Sequence, residues 1–241
     1  MKRTTWTIAA MLVLGAFLFV APGTAQEKPR IGVLRFTNET RVGWWSASVG
    51  SELSDMLASE LVSTRAFQVL DRKEIDAVMG EQDLGASGRI DPGTRAKIGK
   101  LKGAKYLVAA TVSSYEESTR GGGAGISVGG LSLGGSKEKT YVAVDLKVID
   151  TDTGEIADAR TIEAESTGTG LGAGVRIGGV SLRGGGFEKT PAGKAIRGCV
   201  VYMSEYLECS LVRGKDDSCM KKWDDMDANR RARTKGSIDI K

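Results

Sequence analysis

The side chains that usually carry chemistry are sparse in this sequence. There is no histidine among its 241 residues, which removes Ser-His-Asp and Cys-His nucleophilic catalysis and the commonest zinc sites. Three cysteines stand at Cys199, Cys209 and Cys219. An odd count in an exported chain fits one bridge with a spare thiol, or free buried thiols. Cys199 and Cys209 read as sharing one helix, where ten residues put them about 15 Å apart, too far to bridge. A Cys209–Cys219 bridge and unpaired thiols both stay open. Gly121-Gly122-Gly123 and Gly184-Gly185-Gly186 resemble phosphate cradles only superficially, since neither has the Lys-Ser/Thr of a P-loop or a strand-to-helix setting. Asp216-Asp217 and Asp224-Asp225 read as solvated tail, not metal ligands. No nucleophile stands beside a base, so the sequence predicts no enzyme, no cofactor and no metal. The remaining candidates are Trp44 and Trp45, adjacent in a polar loop. They could line a constriction, anchor a partner, or pack beneath that loop.

The ends of the chain narrow the setting. Lys2 and Arg3 precede an apolar run from Ile8 to Val20, and Gly23-Thr24-Ala25 supplies the small-x-small pattern of a signal-peptidase site. Residues 1–25 are therefore expected to be an export signal, cleaved after Ala25. The run is short for a membrane span. No cysteine lies near the site, so no lipid anchor is expected. About 215 residues follow, enough for one domain with appendages. The formal charge of +4 loses Lys2 and Arg3 on cleavage, and the small remainder gives no reason to expect a nucleic-acid partner. Nothing after residue 25 is long and apolar enough for a membrane helix, so any entry into a membrane must be made by strands.

The elements follow from periodicity. Arg30 to Phe36 reads as a strand, and Thr37 to Ser48 as a polar loop. Leu53, Met56, Leu57 and Leu61 recur at helical spacing, which predicts a helix over 50–64. Phe67 to Leu70 is a short strand, and Ile75, Val78 and Met79 mark a second helix. Asp91-Pro92 predicts a third, capped by the carboxylate, with Ile98 and Leu101 facing inward and Gly103 at its end. The pattern then turns to strand. Tyr106 to Tyr115 is apolar and rich in β-formers. Tyr141 to Ile149 alternates Val142, Val144, Leu146 and Val148 against polar neighbours. Asp152-Thr153-Gly154 turns into a partner strand from Glu155 to about Glu165. A last helix spans roughly Pro191 to Leu211, and the charged tail at 213–241 is read as partly disordered or as one surface helix. The fold class is α/β with a mixed sheet, not a doubly wound one.

A repeat interrupts the strand half. Residues 123–135 and 172–184 match at an offset of 49, and each has Gly-Gly at its centre. Gly-Gly permits the positive φ angles of a two-residue hairpin turn. Folding there sets Val128 against Leu131 and Ile126 against Leu133 on one apolar face, with Ser127 and Ser132 on the other. In the second hairpin Ile177 faces Val180 and Val175 faces Leu182, while Arg176, Ser181 and Arg183 lie opposite. A slip of one residue would invert every face. Pairing Ser118–Val128 with Leu131–Tyr141 (hairpin 118–141), and Thr167–Ile177 with Val180–Thr190 (hairpin 167–190), gives arms of about eleven residues, the upper end of what a tilted transmembrane strand needs. The apolar sets are thus expected to be lipid-facing and the polar sets lumen-facing. Four strands leave two bare edges, so closure requires several copies.

The sequence resembles the CsgG-type curli secretion channels of bacterial outer membranes over about residues 30–212, within a domain taken as 26–212. The resemblance is carried by Val69-Leu70-Asp71-Arg72, Gln82-Asp83-Leu84-Gly85-Ala86, Lys97-Ile98-Gly99 and Gly103-Ala104-Lys105-Tyr106-Leu107-Val108. Val142 to Ile149, followed by Thr153-Gly154-Glu155-Ile156, adds to it. It implies a periplasmic α/β domain of anticodon-binding-like fold with two β-hairpins per subunit. A ring of subunits would close one oligomeric transmembrane β-barrel that conducts unfolded polypeptide without hydrolysing nucleotide. The implied partners are further copies of the chain, the secreted polypeptide and outer-membrane lipid; the alternative is a soluble periplasmic assembly or binding module. Three departures stand out. Gln26 occupies the place of the family's lipidated cysteine, and the hairpins carry less bulk and more glycine. The loop after the first strand is shorter than the family's constriction loop and lacks its Tyr, Asn and Phe. Trp44 and Trp45 are its nearest aromatic substitutes.

Overall fold

The computed structural model describes residues 27–121, 126–128, 131–133, 135–171 and 191–238. The expected export signal at 1–25 lies outside the described residues, and so does the expected second hairpin between residues 172 and 190.

Strand β1 (Arg30–Val33) buries Ile31 completely. It is shorter than the strand expected to reach Phe36. The Leu34 N–H still donates to Val108 O at 2.8 Å, but the Phe36 N–H turns aside to Gly50 O at 3.1 Å. The chain then restarts as β2 (Thr37–Asn38). Helix α1 (Ala47–Thr64) begins before the expected position 50 because Ser46 caps it, its Oγ accepting the Val49 N–H. Val49, Leu53, Leu57 and Leu61, four residues apart, form its buried stripe. Arg65 in the left-handed region ends it. Strand β3 (Gln68–Leu70) and helix α2 (Ile75–Ala86) follow.

No third helix forms after Asp91. The Asp91 carboxylate accepts the Gly93 N–H at 2.8 Å, and Asp91 O takes the Thr94 and Arg95 N–H groups. That single turn is not continued, and Gly99 at φ 75° is incompatible with a helix. Ile98 and Leu101, expected to face inward, are 62% and 44% exposed. With no turns of helix to follow, they have no face to bury.

Three strands of sixteen residues each dominate the rest: β4 (Tyr106–Gly121), β7 (Gly135–Asp150) and β8 (Ile156–Leu171). A small separate pair, β5 (Ile126–Val128) and β6 (Leu131–Leu133), lies between β4 and β7 in the chain. The described sheet runs β3-β1-β4-β7-β8, with β2 also on β4. β1 is parallel to β3 and β4, and the long strands are antiparallel. The sheet is therefore mixed, as its pattern predicts. Gly154, at φ 75°, closes the β7–β8 turn.

Alternation decides what each face meets. Val108, Ala110, Val112, Val142, Val144, Leu146, Val148 and Ile162 are buried together against α1 and α3 (Pro191–Glu208). Burying each large side chain contributes about 1.5–3 kcal/mol. The opposite face carries hydrogen-bonded polar pairs: Thr37–Thr111 at 2.7 Å, Thr161–Asp145 at 2.7 Å and Tyr141–Glu163 at 2.8 Å. One face is dry and helix-backed, the other polar.

After α3 a wider π-helical turn covers Cys209–Arg213, and α4 (Met220–Gly236) runs through the charged stretch. Met220 and Trp223 are buried. Cys209 and Cys219 form a disulfide, with Cα atoms 6.0 Å apart, and Cys199 is a free buried thiol.

Candidate functional site: a three-strand ribbon and its foot

The candidate site is the part of β4, β7 and β8 that runs on beyond the helix-backed core. Its register is continuous with the core. Val108 pairs with Val148 deep in the sheet, and the same ladder reaches Gly121 opposite Ser136 and Gly135 opposite Leu171. One irregularity falls between Val112 and Ser114, where the pairing steps by one residue. Such a bulge bends the strand and increases its twist. Core burial continues past it on β7, where Val142 and Thr140 are fully buried.

At the tip, Ile126 pairs with Leu133, Ser127 with Ser132 and Val128 with Leu131, the register expected from Gly129-Gly130. Below the tip the expected pairing differs. Ser118 lies opposite Lys139, not Tyr141. The lower ladder keeps the register of the core rows, and the registers of ladder and tip are offset by two residues. The second hairpin's Val175, Arg176, Ile177, Val180, Ser181, Leu182 and Arg183 lie outside the described residues.

Trp44 and Trp45 sit at the ribbon's foot. Their rings lie 5.9 Å apart, and Trp44 meets Tyr115 of β4 edge-on at 5.1 Å. Both are half-buried and packed against the core. Burial, with the Glu117 carboxylate adding to it, pushes the Tyr115 phenol up to about 12. It stays protonated and donates to Glu117 Oε2 at 3.3 Å. This aromatic contact was not legible from the sequence, because only the β2–β4 pairing brings residues 44 and 115 together.

The second feature missed from sequence is the anchorage of α4. The Arg160 guanidinium donates to Trp223 O and to Asp224 Oδ1, and lies 4.7 Å over the Tyr206 ring. Tyr206 in turn donates to Asp158 at 2.8 Å, and Arg233 reaches Glu163 at 2.8 Å. Arg160 points to the helix-backed face and Glu163 to the polar one, so α4 lies along the outer edge of β8. Covering a bare edge blocks unwanted strand addition. Met220 and Trp223, apolar and three apart among charges, were the signal.

Cys199 lies on α3, its Sγ within 3.9 Å of Val142 O and Ile162 O. Burial first, then the Glu163 charge, pushes the thiol up to about 12, which keeps it protonated and unreactive. Among the described residues no group of three His, Cys, Asp or Glu is placed to hold a metal.

A helix-backed sheet that hands three of its strands on to a continuous ribbon is a domain built to present strands outside its own core. The family model for "Curli production assembly/transport component CsgG" matches residues 15–238, and the chain belongs to that family. The CsgG proteins of Escherichia coli and Salmonella typhimurium are each 25% identical to it over 116 residues, 46% of this chain and 42% of theirs. The match thus spans less than half the length of these curated relatives. Among solved structures, the hypothetical protein CT253 from Chlamydia trachomatis covers 76% of this chain and 99% of its own, at 16% identity and a TM-score of 0.42. The PelC dodecamer from Paraburkholderia phytofirmans covers 75% and 89%, at 14% identity and a TM-score of 0.32.

Proposed function

We propose that this protein is a non-enzymatic subunit of an oligomeric outer-membrane pore that passes unfolded polypeptide, in keeping with its family. The observation that carries this reading is the β4–β7 ladder, which runs from the buried Val108–Val148 pair through one bulge to Gly121–Ser136. A domain that only bound a partner would have no need to run three adjacent strands beyond its helices. Neighbouring copies complete the barrel by pairing their ribbons, since a lone subunit leaves edges. Ile126, Val128, Leu131 and Leu133, with Val175, Ile177, Val180 and Leu182, take the lipid side. Ser127, Ser132, Arg176, Ser181 and Arg183 take the lumen. Trp44 and Trp45 form an aromatic collar at the level of Tyr115.

The second reading, a periplasmic module of the same family that does not insert, is favoured by one observation. The successive rows Ser118–Lys139–Thr167, Thr119–Glu138–Gly168 and Arg120–Lys137–Thr169 contain no apolar side chain apart from the bare Gly168. Cell fractionation separates the two readings. A pore subunit appears in outer-membrane fractions as a heat-modifiable, detergent-resistant oligomer. Release of all the protein with the soluble periplasmic contents, as monomer, would overturn the pore.

A further inference from the structure

Helix α2 carries an apolar stripe that the described residues of its own chain leave largely uncovered, touching it chiefly at Gly85, which lies against Arg95 and Ala96. Ile75, Val78, Met79, Gln82 and Ala86 recur at three- and four-residue spacing. Yet Val78 is 42% and Met79 43% exposed, and Gly85 is the only residue of the helix that is buried. A helix whose apolar face is left in water gains little from tertiary packing, the usual source of helix stability in proteins. Its charges are of one sign: Asp76, Glu81 and Asp83, with no lysine or arginine between Ile75 and Ala86.

Helix α4 is its counterpart in charge. It carries six lysines and arginines against three aspartates, and everything charged after Asp227 is basic: Arg230, Arg231, Arg233 and Lys235. Arg231 and Arg233 stay 68% and 69% exposed although they reach Asp227 and Glu163. The solvent-facing side of α4 bears Ala228 and Ala232, one turn apart, which leaves room for a second helix to approach closely.

The two helices also lie at opposite flanks of the sheet. α2 leaves from β3, at one end of the order β3-β1-β4-β7-β8, and α4 covers β8 at the other. A ring requires a heterologous contact between two different patches of the same chain, one on each flank. We propose that α2 of one subunit docks on α4 of the next, its Val78–Met79 stripe against Ala228–Ala232 and its acids beside Arg231 and Lys235. The inference rests on the ring reading and adds to it a helical contact outside the barrel. The polar ends of this contact steer the copies into head-to-tail order.

Charge exchange tests it in the full-length exported protein. Asp76→Lys with Asp83→Lys, or Arg231→Glu with Lys235→Glu, each reduce the detergent-resistant oligomer, and combining the two sets in one chain restores it. A cysteine pair, Met79→Cys and Ala228→Cys, cross-links copies into a ladder on non-reducing gels under mild oxidation, while either single variant does not. An oligomer that persists in both charge variants, with no ladder from the cysteine pair, overturns the docking and leaves the ring itself standing. A wild-type chain that forms no oligomer at all overturns both.

Discussion

Gly50 shows how one missing side chain holds the foot of the ribbon in place. A Cβ built there collides with the Phe36 carbonyl oxygen and lies 3.3 Å from the Trp45 ring. The same carbonyl group belongs to the residue whose N–H turns away from β1 to Gly50 O. The start of α1, the end of β1 and the tryptophan pair are thus fitted to a glycine. Gly50→Ala is expected to destabilise the domain by about 1–3 kcal/mol, the usual cost of overpacking, read as a lower urea midpoint. Gly80→Ala is the control, because nothing lies within 4 Å of its Cβ position. There alanine favours the helix by up to about 1 kcal/mol, so no loss is expected. Gly80 and Gly50 are equally plain glycines in the sequence, and only the approach of Phe36 tells them apart.

At the scale of elements, the helices differ in how much of them was readable. α1 and α3 announce themselves by their buried stripes, because a long periodic pattern has one good solution. The segment after Asp91 carries a start signal of the same quality but no stripe, and glycines at 93, 99 and 103 leave it as a turn. α4 is the reverse case, a charged sequence that is held by Trp223, Arg160 and the bridge from Cys209 to Cys219. Closing a loop of about eleven residues contributes about 2.5–3 kcal/mol in the chain-entropy model. Reduction is expected to lower the melting temperature and to speed amide exchange in α4 before α3. Cys199, 1% exposed, should resist alkylation in the folded, reduced protein while the half-buried Cys219 reacts. Equal labelling of all three thiols without denaturant would contradict the buried placement on α3.

At the scale of the whole molecule, the ribbon is both the extension of the core and the proposed contact with the membrane. On the proposed reading the Ile126–Leu133 and Val128–Leu131 pairs, which alternate with Ser127–Ser132, are the ones that meet lipid. Val128→Arg is expected to cost about 2–4 kcal/mol of membrane assembly if it lies near the bilayer midplane. Ser127→Arg should be mild. Oligomer yield in outer-membrane fractions reads the difference, and equal impairment by the two variants would mean the faces are wrongly assigned.

By itself the sequence determined the mixed α/β class, the strand identities around Val142 to Val148, the Gly-Gly register at the first tip and the absence of histidine chemistry. These are local properties: period-two alternation, turn stereochemistry and composition do not depend on what lies across the sheet. Tertiary structure decided the rest. The lower ladder of β4 and β7 departs from the register of the β5–β6 tip because it continues the register of the core rows. Whether Trp44 meets solvent or Tyr115 depends on β2 lying beside β4, and whether Cys209 meets Cys219 depends on the turn of chain between α3 and α4. Each of these joins residues through a third element, and a pattern read along one strand or helix carries no record of its neighbour.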